Sequence, residues 1–277
     1  MNSSRLRIIL PAFALVAGAV LLLTTINAKP IHASTYPVLA CGTDASGFSG
    51  ENGQLAVVQT NGPNTVGSVQ VFDLDFPLNG LTPARGYVMS GQPEAVGSSV
   101  GNTLRALGEF PPPHIVKTIL PGDDSFSPDC CEEQMVMAPD GSFYHAHYSD
   151  VIQKLALQSG ESEVLQTYNQ PDIVGMASDG KQIWISNWDG KEVGTWDPTT
   201  NVFTPVFSTP DNAGALAWDV TNGVLWVGME GGAVIPFSAT GQQLGSGFQP
   251  FGAISGTVDG LAFVPSQFVE SLTGRKQ

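Results

Sequence analysis

A unit of about forty residues that repeats along the chain constrains the fold of this protein more than any other feature. The unit is clearest over residues 172–210, where turn pairs such as Asp179-Gly180 and Asp189-Gly190 separate four short apolar runs. Short apolar runs bounded by such pairs are typical of consecutive antiparallel strands. Each unit is therefore predicted to fold as one four-stranded sheet.

The same order of runs recurs before and after that unit. The aligned residues Ala138, Ala177 and Ala217 are 39 and 40 residues apart. This spacing suits the blade of a β-propeller, in which four-stranded sheets surround a central axis. The sequence therefore predicts an all-β fold that consists of a single β-propeller.

The outer parts of the repeat region predict how the propeller closes. A first-strand pattern at 260–264 stands alone, whereas 54–59 and 68–73 resemble the second and third strands of the clearest unit. We therefore expect the C-terminal strand to complete the N-terminal blade, which removes exposed sheet edges. The count is five blades, or six, and residues 36–53 could hold one more strand. A weaker unit is expected to have strands at 94–98, 103–107 and 114–120.

The N-terminus has the pattern of an export signal. Arg5 and Arg7 precede an apolar run at 8–23, and small residues suited to cleavage follow it. Cleavage is possible after Ala28 or after Ala33, and the second is preferred. An uncleaved membrane anchor is one alternative, and a lipoprotein attached through Cys41 is another. The protein is expected to be secreted, periplasmic or part of the cell envelope. The predicted divisions are a signal peptide at 1–33, an N-terminal segment at 34–53, the propeller at 54–265 and a tail at 266–277.

The charge of the chain excludes one class of partner. Removal of residues 1–33 takes away Arg5, Arg7 and Lys29 but no acid, so the formal net charge changes from −14 to −17. Nucleic acid is then a poor partner, because binding to phosphates requires Lys and Arg. A membrane contact is expected only through an uncleaved N-terminal segment.

Three cysteines remain after the predicted cleavage, namely Cys41, Cys130 and Cys131. An oxidising compartment allows one disulfide among them and leaves one thiol. Cys41 could pair with Cys130 or Cys131 and tie the N-terminal segment to the propeller. The alternative is a vicinal disulfide between Cys130 and Cys131.

Two segments of the clearest unit resemble a known group of proteins. Ile-Trp-Ile-Ser-Asn at 183–187 and Val-Gly-Thr-Trp-Asp-Pro-Thr-Thr at 193–200 are similar to the repeat of YVTN, NHL and streptogramin-lyase-like propellers. The resemblance covers 132–264 well and 54–120 poorly. It implies the architecture alone, since such folds host lyases, lactonases, binding modules and scaffolds. Streptogramin lyases use paired histidines and a glutamate in later blades, whereas no histidine follows His147 here, which counts against lyase activity.

The loops at one end of such a propeller form a mouth, which here is predicted to be strongly acidic. The loops that lead into the first strands supply carboxylate and amide oxygens, which are the ligands that Ca²⁺ prefers. Asp and Asn are also common turn residues, so these positions can be purely structural. The candidate metal ligands are Glu132, Asp172, Asp211, Asn212 and Asp259.

A second set of mouth loops, between the second and third strands, supplies candidate ligand contacts. Trp188 and Tyr148 could stack a sugar or an apolar ligand. His145 and His147 lie on the same side of one strand and could bind zinc or act as bases, although a packed pair is the preferred interpretation. The candidate ligand-binding residues are His147, Tyr148, Asn187, Trp188 and Asp189. The tryptophans expected to pack between blades are Trp184, Trp196, Trp218 and Trp226.

No arrangement of residues in the sequence has the form of a catalytic site, and no Gly-x-Ser-x-Gly turn occurs. We therefore expect a binding protein that presents its mouth to a small molecule, a glycan or a protein, without turnover. The alternative is a calcium-dependent hydrolase of the lactonase or esterase type, or a lyase, at the same mouth. A purely structural surface protein is a third interpretation. The sequence requires no cofactor, and Ca²⁺ is the candidate.

Overall fold

A computed structural model describes the chain in separate ranges. They are residues 38–43, 53–64, 66–74, 78, 80–83, 95–99, 103–108, 114–120, 134–138, 140–147, 151–157, 162–252 and 256–264. The predicted signal peptide at 1–33 and the predicted tail at 266–277 lie outside these ranges. Within them, no helix has the length and apolar character needed to cross a membrane.

The described residues form nineteen β-strands. Their bounds are β1 Val38–Thr43, β2 Gly53–Thr60, β3 Val66–Leu74, β4 Gly80–Pro83, β5 Ala95–Ser99, β6 Thr103–Gly108, β7 His114–Leu120, β8 Met135–Met137, β9 Phe143–His147, β10 Val151–Leu157, β11 Ser162–Asn169, β12 Ile173–Ser178, β13 Ile183–Asn187, β14 Glu192–Asp197, β15 Val202–Ser208, β16 Ala213–Asp219, β17 Val224–Met229, β18 Val234–Ser238 and β19 Gly260–Val264.

These strands pair into five antiparallel sheets. In spatial order they are sheet I (β19-β1-β2-β3), sheet II (β4-β5-β6-β7), sheet III (β8-β9-β10-β11), sheet IV (β12-β13-β14-β15) and sheet V (β16-β17-β18). Four of the sheets have four strands, and sheet V has three. The prediction of an all-β fold built from four-stranded antiparallel sheets is confirmed.

One strand of each sheet contacts the corresponding strands of the neighbouring sheets. β4 contacts β8, β8 contacts β12, β12 contacts β16, β16 contacts β19, and β19 contacts β4. We call these five the inner strands. In sheets II to V the inner strand comes first along the chain, whereas in sheet I it is the C-terminal strand β19, paired with β1 from Val38↔Val264 to Gly42↔Gly260.

The hydrophobic cores lie between neighbouring sheets. Tyr144 and Tyr168 of sheet III pack edge to face against Trp196 of sheet IV, with ring centroids 5.3 and 5.0 Å apart. Trp184 of sheet IV stacks on Trp218 of sheet V at 5.8 Å. Aromatic pairs in these geometries are favourable beyond the area that they bury. The tryptophans predicted to pack between repeat units do so, including Trp226, which lies fully buried in the core shared by sheets I and V.

The structure differs from the sequence prediction at the N-terminal sheet. The run at 54–59 was expected beside the C-terminal strand, but β1 lies between β2 and β19. The residues of β2 and β3 are therefore the third and fourth strands of sheet I. The further strand expected somewhere in 36–53 is β1.

Two other strands also depart from the prediction. The inner strand of sheet II, β4, has four residues and ends at Pro83, and the sequence analysis did not foresee it. The segment at 243–248 follows β18, where the repeat places a fourth strand of sheet V, but it makes only the isolated bridges Phe237↔Gln243 and Val234↔Phe248. Gly247 lies between these bridges with a φ of 72°, which is incompatible with a regular strand.

The outer strands carry irregularities that interrupt their free edges. In β11 the register shifts so that Leu165 has no opposing residue, and in β15 Val206 is the extra residue next to Pro205. β3 and β7 also contain register shifts. Bulges and proline at a sheet edge hinder the pairing of another strand. The exposed apolar residues Leu165 and Val206 therefore lie on edges that are poor templates for association.

Candidate functional site

Loops at one end of sheets IV, V and I form the candidate site. We call residues 170–172, 188–191, 209–212, 230–233 and 256–259 the mouth loops, since they precede inner strands or follow second strands. Antiparallel pairing brings these positions to the same end of each sheet. One direct contact is the hydrogen bond from the Trp188 backbone N–H to the Asp172 carbonyl oxygen, at 2.7 Å.

Hydrogen bonds connect the mouth loops of sheet IV to the loop that begins sheet V. Lys191 donates from Nζ to Asp211 Oδ1 at 3.0 Å. Thr209 donates its backbone N–H to the Lys191 carbonyl oxygen at 2.8 Å and its hydroxyl to the Asp211 carbonyl oxygen at 2.7 Å. These bonds join the loop between β13 and β14 to the segment that leads into β16.

The connection continues from sheet V to sheet I. Asn212 donates from Nδ2 to Glu230 Oε2 at 3.0 Å, and the Gly231 backbone N–H donates to the Gly256 carbonyl oxygen at 3.0 Å. Asp259 then donates its backbone N–H to the Gly42 carbonyl oxygen at 3.1 Å. The mouth loops of three neighbouring sheets are thus joined into one hydrogen-bonded platform.

The platform is acidic, as the sequence analysis expected. It contains five acidic residues and one lysine, Lys191. The hydrogen bond from Lys191 is the main reason that the pKa of Asp211 lies below its ordinary value, and the hydrogen bond from the Asn212 backbone also lowers it. This carboxylate is therefore ionised and engaged at neutral pH.

The predicted ligand-binding residues divide into engaged and available groups. Asn187 is engaged, since its Oδ1 accepts from the Gly190 backbone N–H and its Nδ2 donates to the Pro171 carbonyl oxygen at 3.4 Å. Trp188 is half-buried and Asp189 is exposed at the tip of the same turn. Tyr148 and the side chain of His147 lie outside the described residues. Among the predicted ligand-binding residues that the structure describes, Trp188 and Asp189 are therefore the ones with side chains that can meet a ligand.

The predicted metal ligands occupy separate positions along the platform. Within the described ranges, no three His, Cys, Asp or Glu side chains converge closely enough to hold a metal ion. Asp211 is paired with Lys191, Asp259 is almost fully buried, and Asp172 adopts a left-handed backbone conformation with a φ of 61°. Glu132 lies outside the described residues. The Ca²⁺ site stays a prediction.

A glutamine that the sequence analysis did not single out lies between the inner strands. Gln134 is fully buried. Its Nε2 donates to the carbonyl oxygens of Leu81 in β4 and Leu261 in β19, at 2.8 and 2.9 Å. Its Oε1 accepts from the Leu216 backbone N–H in β16 at 3.2 Å. One side chain therefore bonds to three inner strands.

The backbone of the same residue bonds to the remaining two sheets. The Gln134 N–H donates to the Val174 carbonyl oxygen in β12 at 3.3 Å, and its own carbonyl oxygen accepts from Ala146 in sheet III at 3.0 Å. Gln134 thus links all five sheets. The Gln134 side chain therefore lies in the space between the inner strands and fills that space at the position of this residue.

A second buried polar residue that the sequence analysis missed links sheets IV and V. Ser186 Oγ accepts from the Gly175 backbone N–H at 2.7 Å and donates to the Ala213 carbonyl oxygen at 2.8 Å. A Cβ at Gly175 would stand 2.6 Å from this oxygen, so only glycine fits there. No sequence signal distinguishes Ser186 from a turn serine, because its partners come from other strands.

The cysteines can be described in part. Cys41 is a free thiol that lies fully buried in β1, and this burial raises its pKa strongly. A buried protonated thiol is unreactive. Cys130 and Cys131 lie outside the described residues, and the predicted disulfide stays a prediction.

Comparisons with known proteins identify the fold but no family. No protein-family profile and no curated protein matches the chain. Among solved structures, the chain is similar to a chain of the "Crystal structure of Nidogen/Laminin Complex", with a TM-score of 0.53 and 13% sequence identity, over 83% of this chain and 98% of that chain. The similar chain is a β-propeller. The predicted resemblance to a β-propeller is confirmed, whereas the specific resemblance to YVTN and NHL repeats stays a prediction.

Proposed function

We propose that the five sheets are the blades of one closed, five-bladed β-propeller, in which β19 completes the N-terminal blade. The contacts between inner strands support this proposal, since they continue from β4 through β8, β12 and β16 to β19 and return to β4. The bonds from Gln134 to all five sheets support the same arrangement. Closure leaves no sheet without neighbours on both faces.

We further propose that this propeller is an exported binding protein that presents the mouth loops to a protein partner. The observation that carries the proposal is the platform of hydrogen bonds that joins the mouth loops of sheets IV, V and I. Loops held in this way lose little conformational entropy on binding, which favours affinity. The similar structure is itself a complex of two proteins, nidogen and laminin.

Trp188 and Asp189 are the proposed contact residues. Tryptophan is enriched among the residues that dominate binding energy, because it combines a large apolar face with one hydrogen-bond donor. Asp189 adds an exposed charge to the acidic platform, which favours a partner surface that carries Lys or Arg. Glycans and small molecules, which also stack on tryptophan, are the alternative ligands.

Export belongs to the proposal through residues 1–33 of the sequence. Arg5, Arg7 and the following apolar run have the composition of a signal peptide. A secreted or envelope location would bring the acidic mouth into contact with extracellular or periplasmic proteins. Separation of culture supernatant, periplasm and membranes, followed by N-terminal sequencing, tests the location and the cleavage after Ala33.

Binding by wild-type protein and charge-matched variants tests the function. The full chain is applied to a glycan array and to an extract from the compartment where it resides, and bound material is quantified. Trp188→Ala should weaken binding by about thirtyfold if it removes the ~2 kcal/mol of a dominant contact. Asp189→Asn should weaken it less, whereas Gln242→Lys, the same charge change at the opposite end of sheet V, should leave it unchanged. Equal binding by wild type and Trp188→Ala would exclude the proposed mouth contact.

Calcium provides a second measurement on the same protein. A ligand bound only by the folded state raises the unfolding temperature. Thermal unfolding with millimolar calcium and then with chelator should give the same midpoint for a metal-free binding propeller. A rise that Asp259→Asn abolishes would instead favour the calcium-dependent hydrolase or lyase.

A further inference from the structure

Two Asn-Gly pairs face each other across the junction of sheets I and V. Asn61-Gly62 lies in the turn between β2 and β3, and Asn222-Gly223 lies in the turn between β16 and β17. A Cβ placed at Gly62 would stand 3.7 Å from Asn222 Oδ1. Both asparagines are exposed, and both glycines have positive φ, 77° at Gly62 and 65° at Gly223. The two asparagine side chains therefore both meet solvent, whereas Gly62 is buried and Gly223 is exposed.

Their hydrogen bonding differs completely. Asn222 donates its Nδ2 to Asp219 Oδ2 at 2.8 Å and its backbone N–H to Asp219 Oδ1 at 3.1 Å. The Gly223 backbone N–H donates to the Asp219 carbonyl oxygen at 2.8 Å. Among the hydrogen bonds of the described residues, none involves the Asn61 side chain or the Gly62 N–H.

This difference matters because Asn-Gly pairs rearrange spontaneously. The deprotonated backbone nitrogen of the glycine attacks Cγ of the asparagine, a new N–C bond closes a five-membered succinimide, and the side-chain amide leaves as ammonia. Water then opens the ring at either carbonyl, which yields aspartate or isoaspartate. No oxidant or reductant takes part, and water is the one co-reactant.

We propose that Asn61 is a site of succinimide formation and isoaspartate conversion in the folded protein, and that Asp219 protects Asn222 from the same reaction. At Asn61 the side chain is exposed, and neither this side chain nor the Gly62 N–H has a hydrogen-bond partner among the described residues. At Asn222 both groups are held by Asp219, which is itself almost fully buried. Two hydrogen bonds must break before the reaction can start there, which should slow it by about tenfold or more.

The reaction would change the turn in two ways. It adds a carboxylate at position 61, and the isoaspartate product adds one methylene group to the backbone. The same turn contacts the segment after β18, since a Cβ at Gly245 would stand 2.8 Å from both the Pro63 carbonyl oxygen and Asn64 Oδ1. Conversion of Asn61 would therefore strain the contact between sheets I and V. This contact lies at the end of the sheets opposite the mouth loops.

Peptide mapping of the full chain after incubation at mildly alkaline pH tests the proposal. We expect the mass gain of deamidation, and methyl labelling by an isoaspartyl methyltransferase, at Asn61 at least about tenfold faster than at Asn222. In urea, where Asp219 no longer holds its partners, the two rates should become similar. Equal rates in the folded protein, or an inert Asn61, would overturn the proposal.

Two variants test separately the reaction at Asn61 and the protection of Asn222 by Asp219. Asp219→Ala should raise the rate at Asn222 towards that at Asn61, and Asn61→Gln should remove the reaction at position 61 without an effect on position 222. If Asp219→Ala does not fold, the comparison of folded and urea-unfolded wild type still decides whether the structure protects Asn222. Protection that persisted in urea would show that the neighbouring sequence, and not Asp219, slows the reaction.

Discussion

Replacement of Gln134 by leucine is the most direct perturbation of the region where the inner strands meet. Leucine has a similar volume, so the cavity cost is small, but it bonds to none of the three partners of the glutamine side chain. The carbonyl oxygens of Leu81 and Leu261 and the N–H of Leu216 would be left buried without partners. Each such group costs about 1–3 kcal/mol. The expected loss is therefore about 3–9 kcal/mol, a large part of the ~5–15 kcal/mol that stabilises a typical protein.

Urea unfolding, followed by tryptophan fluorescence and circular dichroism, measures this loss. Gln153→Leu is the matched control, because Gln153 Oε1 is buried without a hydrogen-bond partner in the structure. Loss of a buried carbonyl that has no partner is close to neutral or stabilising. The same substitution should therefore be severe at position 134 and mild at position 153.

A charged variant at the same position should make the free energy of unfolding depend on pH. Gln134→Glu places a carboxylate against two carbonyl oxygens in a fully buried position, which raises the pKa of the new group in the folded state. Because the folded-state pKa is raised, the loss of stability that comes from ionisation is absent below the unfolded value of about 4.3 and grows as the pH rises above it. A Gln134→Leu variant that loses less than about 1 kcal/mol, the net value of a single hydrogen bond, would refute the reasoning that this side chain holds the inner strands together.

Three further substitutions test the hydrogen bonds between sheets IV and V, the platform of mouth loops and the free edge of β15, in that order. Ser186→Ala should cost about 1–3 kcal/mol by urea unfolding, since it leaves the buried Gly175 N–H without its acceptor, whereas Ser186→Thr should retain the bond at a steric cost. Lys191→Met should raise the depressed pKa of Asp211 towards 3.8, observed by NMR titration. A depressed pKa stabilises the fold above the unfolded value and is lost as the pH falls, so the variant should be less stable at pH 7 by about 0.2–1 kcal/mol and equal to wild type in strong acid. Pro205→Thr should increase light scattering of concentrated protein, because it removes a proline from the free edge of β15. Unchanged scattering would show that the register shift alone protects this edge.

The repeat within this one sequence made the strands of its clearest unit, residues 172–210, predictable. Sheet IV follows the predicted runs closely, because its turns carry Asp179 and Asp197, which accept hydrogen bonds from the backbone of their own turns. The strand β1 was predicted only to lie somewhere in 36–53, and the four-residue strand β4 was not predicted. β4 ends in Pro83, and their pairing depends on partners far away in the sequence.

The sequence predicted which end of the sheets holds several of the candidate residues, but it did not predict what those residues contact. Trp188, Asp211 and Asn212 do lie in loops at one end of neighbouring sheets, as the strand order required. Yet the same oxygens that suit a metal ion also suit a turn, and Asp211 and Asn187 are occupied by bonds to neighbouring residues. Gln134 could not be found from local pattern, because its role depends on five strands that are separated in the chain and adjacent only in space.

The pairing of β19 with β1 also sets an order in which the protein can acquire its structure. Sheet I cannot gain its inner strand until residues 260–264 are available, although its other strands lie within the first 74 residues. A chain that is still being synthesised therefore holds sheet I without its inner strand until those residues have been made. Contacts between residues this far apart slow folding, so we expect the pairing of β19 with β1 to be a late step of folding.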